Sequence, residues 1–377
     1  MAIPTELVRV PMEPDRNAGA AAPGNPTKSK KKLVRRTERD YSQVLRRSYQ
    51  AAFLLLNVWL GGLFFLWVRR IESGAATFSA PPAGVEGWLP IAGLMNLKYL
   101  LVSGRVPAMH PAAMFLLITF LAMAFLLRKA FCSWLCPVGT VSEYLGRLGK
   151  WFFGRNFVLR KWMDIPLRGL KYLLLGFFAW AISTMSAEAI AAFMRSDYGV
   201  VAAVKMLNFF RYLGGTAAIV VGCLAVASLF VKNFWCRYLC PYGALLGLAS
   251  LLSPLRIRRE AEACIDCGKC AKACPSSLAV DKLASIKSAE CTGCLECVAV
   301  CPAEGALRMS LPKMARRKRV PAWAMAAGLA VLFLGIAGYA KTAGVWTSPV
   351  APETYRRLVP RASEARHPMP GDAELSR

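Results

Sequence analysis

The chain contains 377 residues, of which 56% are hydrophobic, and it carries a formal net charge of +26 at pH 7. So apolar a composition argues against a soluble protein of this length and favours an integral membrane protein. The positive charge follows membrane topology, as described below, and we expect no nucleic acid partner. Twelve of the 13 cysteines fall in four short clusters of regular spacing, which indicates metal or redox chemistry rather than a disulfide scaffold.

Crossing a bilayer as a helix takes about 20 mostly apolar residues. Five stretches meet this requirement, and they lie at residues 49–68, 111–127, 170–191, 213–231 and 321–340. Residues 1–48 are basic and begin with an Ala/Pro/Gly-rich segment, so we expect a disordered cytoplasmic tail there. Residues 86–104 are apolar but interrupted by Pro90 and Lys98, and they predict an interfacial or re-entrant element.

The orientation is predicted from lysine and arginine, which are enriched in cytoplasmic loops. Of the 48 such residues, 35 lie before the first span, between the second and third, or between the fourth and fifth, counting Lys171 at the start of the third span. The alternating segments hold the other 13. The sequence therefore predicts a multi-pass protein of the bacterial cytoplasmic (inner) membrane. Its N-terminus would be cytoplasmic and its polar tail, residues 342–377, would lie outside.

Two similar motifs follow the second and fourth predicted spans. Residues 131–139 read FCSWLCPVG and residues 235–243 read WCRYLCPYG, so both fit C-x3-C-P-x-G. Lys129 and Lys232 hold equivalent places just before the cysteines. The repetition indicates two hairpins of the same polarity, each of which places two cysteines at the cytoplasmic edge of the membrane.

Three interpretations of Cys132, Cys136, Cys236 and Cys240 remain open at this stage. The four could converge on a four-thiolate metal site, because cysteines at i and i+4 share one helix face. Alternatively, each pair could act as redox thiols that cycle between dithiol and disulfide. The third interpretation is that they are small side chains packed at a close helix crossing. Cys223, within the fourth span, is expected only to pack.

Between the fourth and fifth spans, residues 264–275 read CIDCGKCAKACP and residues 291–302 read CTGCLECVAVCP. Both follow C-x2-C-x2-C-x3-C-P, the run with which bacterial two-cluster ferredoxins bind two [4Fe–4S] clusters. Three closely spaced thiolates reach one cluster and the fourth reaches the other. The predicted ligands are Cys264, Cys267, Cys270 and Cys301 for cluster 1, and Cys291, Cys294, Cys297 and Cys274 for cluster 2. Structural zinc is the alternative, which two complete runs disfavour.

Other cofactors lack the residues they need in this sequence. No predicted span contains a histidine that could be an axial haem ligand, and there is no C-x-x-C-H motif for haem c. A G-x-G-x-x-G dinucleotide motif is also absent. Residues 72–79, ESGAATFS, resemble a flavinylation motif, but the spacing is off. We therefore expect neither haem nor covalent flavin.

A quinone site requires a group near the membrane interface that exchanges a proton with the quinol. The sequence offers Trp88, Lys98 and His110 as candidates, with Glu86 and Tyr99 nearby, all around the interfacial segment and the start of the second span. The alternative for His110 is that it only caps that span.

The four core spans, the motifs FCSWLCPVG and WCRYLCPYG, and the two four-cysteine runs resemble the NapH-type membrane ferredoxins. The same core is found in the C-terminal part of NosR and in CcoG-like proteins, and the resemblance covers roughly residues 49–310. It implies electron transfer between the quinol pool and a partner reductase or accessory protein. The chain differs in lacking the flavin domain of NosR and the Ig-like domain of CcoG, and in adding a fifth span and a tail to the NapH-like core. These differences leave the partner open.

These features predict an α-helical integral membrane protein of about five transmembrane helices with an inserted bacterial 2[4Fe–4S] ferredoxin-like α+β module. The expected domains are the tail 1–48, the membrane core 49–255, the ferredoxin-like domain 256–310, the fifth helix 320–341 and the outside tail 342–377. The predicted function is electron transfer between the quinone/quinol pool and a partner reductase, cytochrome or ferredoxin-type protein. The alternative is a maturation factor that reduces thiols or copper while another redox enzyme is assembled.

Overall fold

The computed structural model describes residues 34–37, 40–75, 77, 79–311 and 319–368. Within these residues the chain is mostly helical, with one two-stranded sheet. The helices are α1 (Ser42–Glu72), α2 (Pro90–Ser103), α3 (Pro111–Leu126), α4 (Ala130–Trp134), α5 (Pro137–Phe153), α6 (Lys161–Thr184), α7 (Ala187–Arg195), α8 (Asp197–Val200), α9 (Ala202–Arg211), α10 (Gly215–Phe230), α11 (Pro241–Leu251), α12 (Lys269–Ala273), α13 (Glu296–Ala299), α14 (Ala322–Thr342) and α15 (Pro352–Leu358). A 3-10 turn spans Ala83–Trp88, a π-helical turn spans Trp235–Leu239, and the strands are β1 (Arg256–Arg259) and β2 (Leu307–Ser310).

Three helices among the described residues are long and apolar enough to cross a membrane alone, namely α1, α6 from Trp162 onward, and α14. The pair α9–α10 passes the same test together, with a bend of 81° at the break, and would make a fourth span. The number of candidate membrane helices is thus roughly that of the predicted five-span fold. The remaining predicted span, 111–127, is α3, which has 16 residues and a length of about 24 Å at 1.5 Å per residue.

Helix α3 is short because the chain turns sharply at both of its ends. His110 precedes it with a positive φ of 52°, and Arg128 follows it with a φ of 61°. Pro111 occupies the first helical position, where its missing N–H is not needed. Most of the helix is buried, and α2, α11 and α14 pack around it. It therefore forms the centre of the helical part, while α1, α6 and α14 expose more of their surface.

Two predicted elements have different boundaries in the structure. The third span, predicted at 170–191, is a helix that starts at Lys161 and ends at Thr184, because Ser186 begins a new helix by accepting a hydrogen bond from the Ala189 amide (3.1 Å). The interfacial segment 86–104 contains α2, whose 14 residues are too few to cross a bilayer. A Cβ on Gly93 would lie 2.8 Å from the Ala113 carbonyl oxygen, so glycine permits the close approach of α2 to α3.

Helix α1 begins inside the segment that the sequence predicts to be a disordered tail. The Asp40 carboxylate accepts a hydrogen bond from the Ser42 amide (2.7 Å), and Arg46 pairs with Glu143 and Glu296. These partners order the start of the helix, so the prediction of disorder is corrected for residues 42–48. Residues 1–33, 38 and 39 of the predicted tail lie outside the described residues.

The segment between α11 and α14 holds both ferredoxin-type runs, and the two strands lie at its ends. They pair antiparallel over four residues, Arg256–Arg259 with Leu307–Ser310. Ile257 and Leu295 of this segment share a hydrophobic cluster with Trp134 of α4. The ferredoxin segment is therefore packed directly against the helical part.

The C-terminal helix packs at the other end of α1, which is about 46 Å long at 1.5 Å per residue. The rings of Trp67, near the end of α1, and Tyr355 of α15 lie 5.1 Å apart between centroids, and Val359 is buried in the same cluster. At the start of α1, the Gln43 side chain donates a hydrogen bond to the Cys294 carbonyl (2.9 Å). The cysteine runs and the C-terminal helix thus lie at opposite ends of α1.

Candidate functional site

The first C-x3-C-P-x-G motif follows α3 through the left-handed residue Arg128. Cys132 then lies in the short helix α4, and Cys136 caps α5, whose first residue is Pro137. The Gly139 amide points at the Cys136 sulfur (3.5 Å). A Cβ on Gly139 would lie 2.3 Å from the Cys132 carbonyl oxygen, so only glycine fits there without a shift of the backbone. The spacing C-P-x-G is therefore a helix start that folds tightly against the preceding cysteine.

The second motif repeats this construction after α10. Asn233 takes the left-handed conformation (φ 58°), Cys236 lies in the π-helical turn, and Cys240 caps α11 with its sulfur 3.2 Å from the Gly243 amide. Non-glycine residues in the left-handed region cost about 1–3 kcal/mol each and cluster at functional sites. A left-handed non-glycine residue thus lies four residues before Cys132 and three residues before Cys236.

The cysteines of both motifs face one cavity with a volume of about 850 Å³. Burial, and then the charges of Cys132 and Cys240, raise the pKa of Cys136 to about 12. Burial, and then the charges of Cys136, Cys240 and Cys132, raise the pKa of Cys236 well above its usual value. All four cysteines line this cavity, and the other motif cysteines contribute to the pKa shifts of Cys136 and Cys236. The two hairpins therefore bring together cysteines that lie about a hundred residues apart in the sequence.

Lys129 lines the same cavity and is only 4% exposed. Its ammonium group makes no hydrogen bond and no ion pair with the residues that the structure describes. Burial raises the pKa of Cys132 to about 11, although the charge of Lys129 opposes this rise. Burial would also raise the pKa of Glu290, but the charges of Lys129 and Lys171 outweigh it and lower this pKa. A buried cation of this kind is costly unless an anion compensates it.

A buried charge network ties α1 to the first motif and to the second ferredoxin run. The Arg46 guanidinium donates to both oxygens of Glu143 (2.7 and 2.8 Å) and to Glu296 (2.9 Å), and Gln50 also donates to Glu143 (2.9 Å). Burial alone would raise the pKa of Glu143, but the hydrogen bonds and charge of Arg46 outweigh it and lower this pKa to about 2. The Glu143 carboxylate is therefore charged at neutral pH and holds Arg46 in place.

A second ion pair connects α6 to the same run. The fully buried Lys171 ammonium lies 2.6 and 2.7 Å from the two carboxylate oxygens of Glu290, and the Tyr172 hydroxyl donates to that carboxylate as well (3.2 Å). Because Glu290 directly precedes Cys291, this pair fixes the start of the second run against the helical part.

The second run lies mostly inside the protein. Cys294 and Cys297 are buried, and left-handed residues at Gly293 (φ 62°) and Leu295 (φ 59°) turn the chain between the cysteines. Burial, and then the charges of Cys294, Cys291 and Cys274, raise the pKa of Cys297 well above its usual value. The four cysteines predicted to bind cluster 2 are therefore neighbours.

The first run is more open to solvent. Cys270 is buried, but Cys267 is exposed. Burial raises the pKa of Cys301, and the charges of Cys267 and Cys264 contribute to the same shift. Cys301 of the second run thus lies beside the first run, as a fourth ligand from the other run would.

Among the described residues, no three His, Cys, Asp or Glu side chains lie close enough together to hold a single metal ion. A tetrahedral zinc site needs its thiolates gathered around one ion at about 2.3 Å. A [4Fe–4S] cluster instead binds each thiolate at a different iron, and its ligands stand further apart. The donor set of the two runs, eight cysteines in two neighbouring groups, fits clusters rather than zinc.

The large cavity continues from the motif cysteines along the helices. Its apolar wall comes from α1, α3 and α14, and includes Phe53, Leu56, Leu60, Leu116, Phe120 and Phe333. Further along, Trp88, Asn57 and Lys341 also line it, and the Trp88 indole N–H donates to the Asn57 side chain (3.0 Å). Cys294 of the second run lines the cysteine end. One cavity therefore joins the apolar helix faces to both kinds of cysteine motif.

Of the three quinone candidates, only Trp88 lines this cavity. The Lys98 ammonium donates to three backbone carbonyl groups at the end of α6. His110 is buried between the Glu86 carboxylate (3.1 Å from Nδ1) and the Gly199 carbonyl (2.8 Å from Nε2). Lys98 and His110 thus have local structural partners and lie apart from the cavity.

Four further residues contribute to the site without being predicted from the sequence, namely Asn57, Arg46, Glu143 and Glu290. Asn57 carried a usable signal, because a polar residue inside an apolar span is a candidate functional residue. The roles of Arg46, Glu143 and Glu290 could not be predicted from the sequence, because they depend on partners from distant segments.

Family models match three parts of the chain. A 4Fe–4S binding domain matches residues 109–156 and 213–260, and a 4Fe–4S dicluster domain matches residues 256–316. The first two ranges contain the C-x3-C-P motifs, and the third contains all eight cysteines of the ferredoxin runs. No solved structure matches the chain. The fold and these domains define a membrane protein that binds iron–sulfur clusters.

Several curated proteins are similar over most of the chain. YccM of Escherichia coli K12, named for a proposed role in electron transport, is 54% identical over 85% of this chain and 91% of its own length. The ferredoxin-type protein NapH of the same organism is 26% identical over 68% of this chain and 85% of its own length. The regulatory protein NosR of Pseudomonas aeruginosa is 31% identical over 61% of this chain and 32% of its own length.

The chain belongs to the YccM family of NapH- and NosR-type 4Fe–4S membrane proteins. The predicted resemblance to NapH and NosR and the predicted iron–sulfur chemistry are confirmed. The protein is a multi-pass bacterial inner-membrane protein with a role in iron–sulfur electron transfer.

Proposed function

We propose that this protein transfers electrons between the quinone/quinol pool and a partner redox protein through two [4Fe–4S] clusters. The residues that would hold the clusters are Cys264, Cys267, Cys270 and Cys301 for the first, and Cys291, Cys294, Cys297 and Cys274 for the second. When bound, such clusters accept and donate single electrons. The cavity that joins the apolar helix faces to Cys294 carries the proposal.

The cavity has the size and chemistry of a quinone site. Its volume of about 850 Å³ falls within the range of about 300–1,000 Å³ that is usual for small-molecule sites. The aromatic and aliphatic wall suits a quinone ring and its isoprenoid tail. Lys341 supplies N–H donors for a quinone oxygen. Asn57 donates one amide N–H to the Phe53 carbonyl (2.8 Å) and accepts from the Trp88 indole, which leaves its second amide N–H for the other quinone oxygen.

The two runs differ in solvent exposure, and this difference supports an order of electron transfer through the protein. The second run faces the cavity through the buried Cys294, whereas the first run exposes Cys267. We infer that cluster 2 exchanges electrons with the quinone and that cluster 1 exchanges them with the partner, a reductase, cytochrome or ferredoxin-type protein.

The proposed topology places the N-terminus and both clusters in the cytoplasm and the tail, residues 342–377, outside. The domain boundaries proposed from the sequence are retained apart from the helical start at Ser42: a core over 49–255, a ferredoxin-like domain over 256–310 and a fifth helix over 320–341. The positive charge bias and the separation of Cys294 from Tyr355 along α1 support this orientation. Reporter fusions after residue 377 test it, because a reporter active only outside the cytoplasm should be active there.

Two glycines on α14 allow a matched test of the quinone site. Gly338 lines the cavity, Gly335 does not, and a Cβ at either position would meet no atom within 4 Å. Gly338→Leu should fill part of the cavity and slow reoxidation of the reduced clusters by a quinone analogue by about tenfold, which corresponds to about 1.4 kcal/mol. Gly335→Leu should react like the wild type. Equal rates in the two variants would contradict the quinone proposal.

The alternative function, reduction of thiols or copper during maturation of another enzyme, is favoured by the convergence of four cysteines on one cavity. Replacing Cys132 and Cys236 by serine separates the two functions. If the protein is a maturation factor, the double variant should lose assembly of the partner enzyme. In that case quinone should not reoxidise the clusters even in the wild-type protein. Saturable reoxidation by quinone in the wild-type protein would instead support the proposed function.

A further inference from the structure

A second cavity, which we call the arginine cleft, has a volume of about 840 Å³ and is not used by the proposed electron transfer. Its walls come from the start of α1, the second run, β2 and the start of α14, and they include Arg36, Val44, Cys301, Arg308, Arg319 and Trp323. Among the described residues, none lines both this cleft and the cavity assigned to quinone. The cleft is therefore a separate candidate binding site.

The cleft lies where the surface of a bilayer would meet the protein. Helices α1 and α14 are both long and apolar enough to cross a membrane, and their first residues, Ser42 and Ala322, both line the cleft. Tyr41 and Trp323 line it as well, and they are 66% and 69% exposed. Exposed tyrosine and tryptophan at the ends of membrane helices are typical of the headgroup level. The cleft thus opens toward lipid headgroups.

The charges that line the cleft favour an anionic ligand. Three arginines, Arg36, Arg308 and Arg319, line it together with two carboxylates, Asp40 and Glu304. This leaves an excess of positive charge among the described lining residues. Asp40 is already paired with the Arg36 guanidinium at 2.8 Å, so it does not repel an incoming anion as a free carboxylate would.

Arg36 retains donors for such a ligand. Its side-chain contacts with the described residues both use Nη1, which pairs with Asp40 and donates to the Val298 carbonyl (3.2 Å). Its Nε and Nη2 make no hydrogen bond or ion pair with any residue that the structure describes. The planar guanidinium presents its donors as a fork that matches two phosphate oxygens. Arg36 can therefore bind a phosphate group while it keeps its pairing with Asp40.

We propose that the arginine cleft binds the headgroup of an anionic phospholipid, at the membrane face where α1 and α14 begin. Nε and Nη2 of Arg36 donate to the phosphate, and Arg319 adds positive charge beside it. The acyl chains lie along the exposed side chains of Val44 and Trp323. Cys301 also lines the cleft, so the bound lipid lies beside the first of the two proposed clusters.

Native mass spectrometry tests this site on the full-length protein released from nanodiscs that contain equal amounts of phosphatidylglycerol and phosphatidylcholine. The wild type should retain a single phosphatidylglycerol per chain. Arg36→Gln should bind this lipid about tenfold more weakly, because the charge-assisted hydrogen bonds to the phosphate are lost. Arg47→Gln is the matched control, because Arg47 is exposed on α1 and does not line the cleft. It removes the same charge and should bind lipid like the wild type.

A second pair of variants blocks the cleft without changing its charge. Val44→Trp should fill part of the cleft and displace the lipid. Val58→Trp should retain it, because Val58 is equally exposed on α1 but does not line the cleft. Cluster absorbance equal to that of the wild type shows that each variant has folded. If Arg36→Gln does not fold, the comparison of Val44→Trp with Val58→Trp decides the question.

Four results would overturn the proposal. The first is a wild-type protein that retains no phospholipid, and the second is equal retention of phosphatidylglycerol and phosphatidylcholine. The third is equal binding of phosphatidylglycerol within either pair of folded variants. The fourth is displacement of the lipid by inorganic phosphate, which would make the cleft a site for free anions. None of these measurements uses quinone, so the lipid site and the proposed function can fail separately.

Discussion

The two ferredoxin-type runs have the same spacing but occupy different surroundings. The second run is held by buried contacts, in which Arg46 pairs with Glu296 and Lys171 pairs with Glu290. The first run carries Asp266 on an exposed loop, where its ion pair with Arg259 is 3.3 Å long. One run is therefore fixed against the helices, and the other faces solvent.

This difference teaches that equal ligand spacing does not mean equal roles. Spacing decides which cysteines can reach a cluster, but burial and neighbouring charges decide what that cluster can exchange electrons with and at which potential. A buried run beside an apolar cavity suits a membrane-soluble reactant, and an exposed run suits a protein partner.

The largest effect on electron transfer is expected when one cluster ligand is removed from each run in separate variants. Cys294→Ser should abolish the reaction of the clusters with a quinone analogue, because it removes a ligand of the cluster that faces the cavity. Cys267→Ser should remove electron transfer to an external acceptor protein while quinone reoxidation of cluster 2 stays within about twofold of wild type. Stopped-flow absorbance and paramagnetic resonance measure both reactions. Equal loss of quinone reactivity in the two variants would contradict the separation of roles.

A smaller effect is expected from Arg46→Ala, which leaves Glu143 and Glu296 without their buried partner. Breaking a buried ion pair by removing one side costs about 3–5 kcal/mol, so thermal unfolding in detergent should occur at a clearly lower temperature. Arg47→Ala is the matched control, because Arg47 is the next residue on α1 and is exposed. An unfolding temperature for Arg46→Ala equal to that of Arg47→Ala would show that the network does not fix the second run.

The smallest effect on stability is expected from His110, which lies at the end of α1 opposite to the cysteine runs. Burial lowers the pKa of His110, but the hydrogen bond and charge of Glu86 outweigh it, so the folded-state pKa is raised above 6.5. The pair therefore stabilises the protein fully below pH 6.5, and the contribution is lost as the pH rises through the raised pKa. Tyr355 is the other titratable group that senses Glu86.

Unfolding temperatures measured from pH 6 to pH 9 test this expectation for His110. The wild type should lose stability across the range, and His110→Gln should show a flatter profile. A wild-type profile as flat as that of the variant would mean that the histidine is neutral throughout. The cluster-binding end should show no change in its spectra, because His110 lies at the other end of α1.

The fold was predictable where signals are local. Long apolar stretches predicted α1 and α14, and regular cysteine spacing predicted the ferredoxin segment. The bounds of α3 were predicted to within one residue, at 111–127 against Pro111–Leu126, but the left-handed residues His110 and Arg128 at its ends were not. The start of α1 at Ser42 was missed for a related reason, since Arg46 is ordered by partners about 100 and 250 residues away.

The candidate site was likewise predictable only where the signals are local in sequence. Membership of the four cysteine clusters could be read from spacing, but the convergence of the two C-x3-C-P-x-G motifs on one cavity required the packing of two separate hairpins. The quinone candidates chosen for their chemistry included Lys98 and His110, whose partners are backbone carbonyls and Glu86. Asn57 and Lys341 gained interest only because the fold turns them toward the cavity.

The central claim is that quinone reacts at a bound site within this protein. The most direct measurement is freeze-quench paramagnetic resonance of the fully reduced protein mixed with increasing concentrations of a quinone analogue. The rate of cluster reoxidation is predicted to saturate, because the analogue must first occupy the cavity, and the plateau should be lost in Gly338→Leu. A rate that rises linearly over the whole concentration range and is equal in Gly338→Leu would contradict the claim.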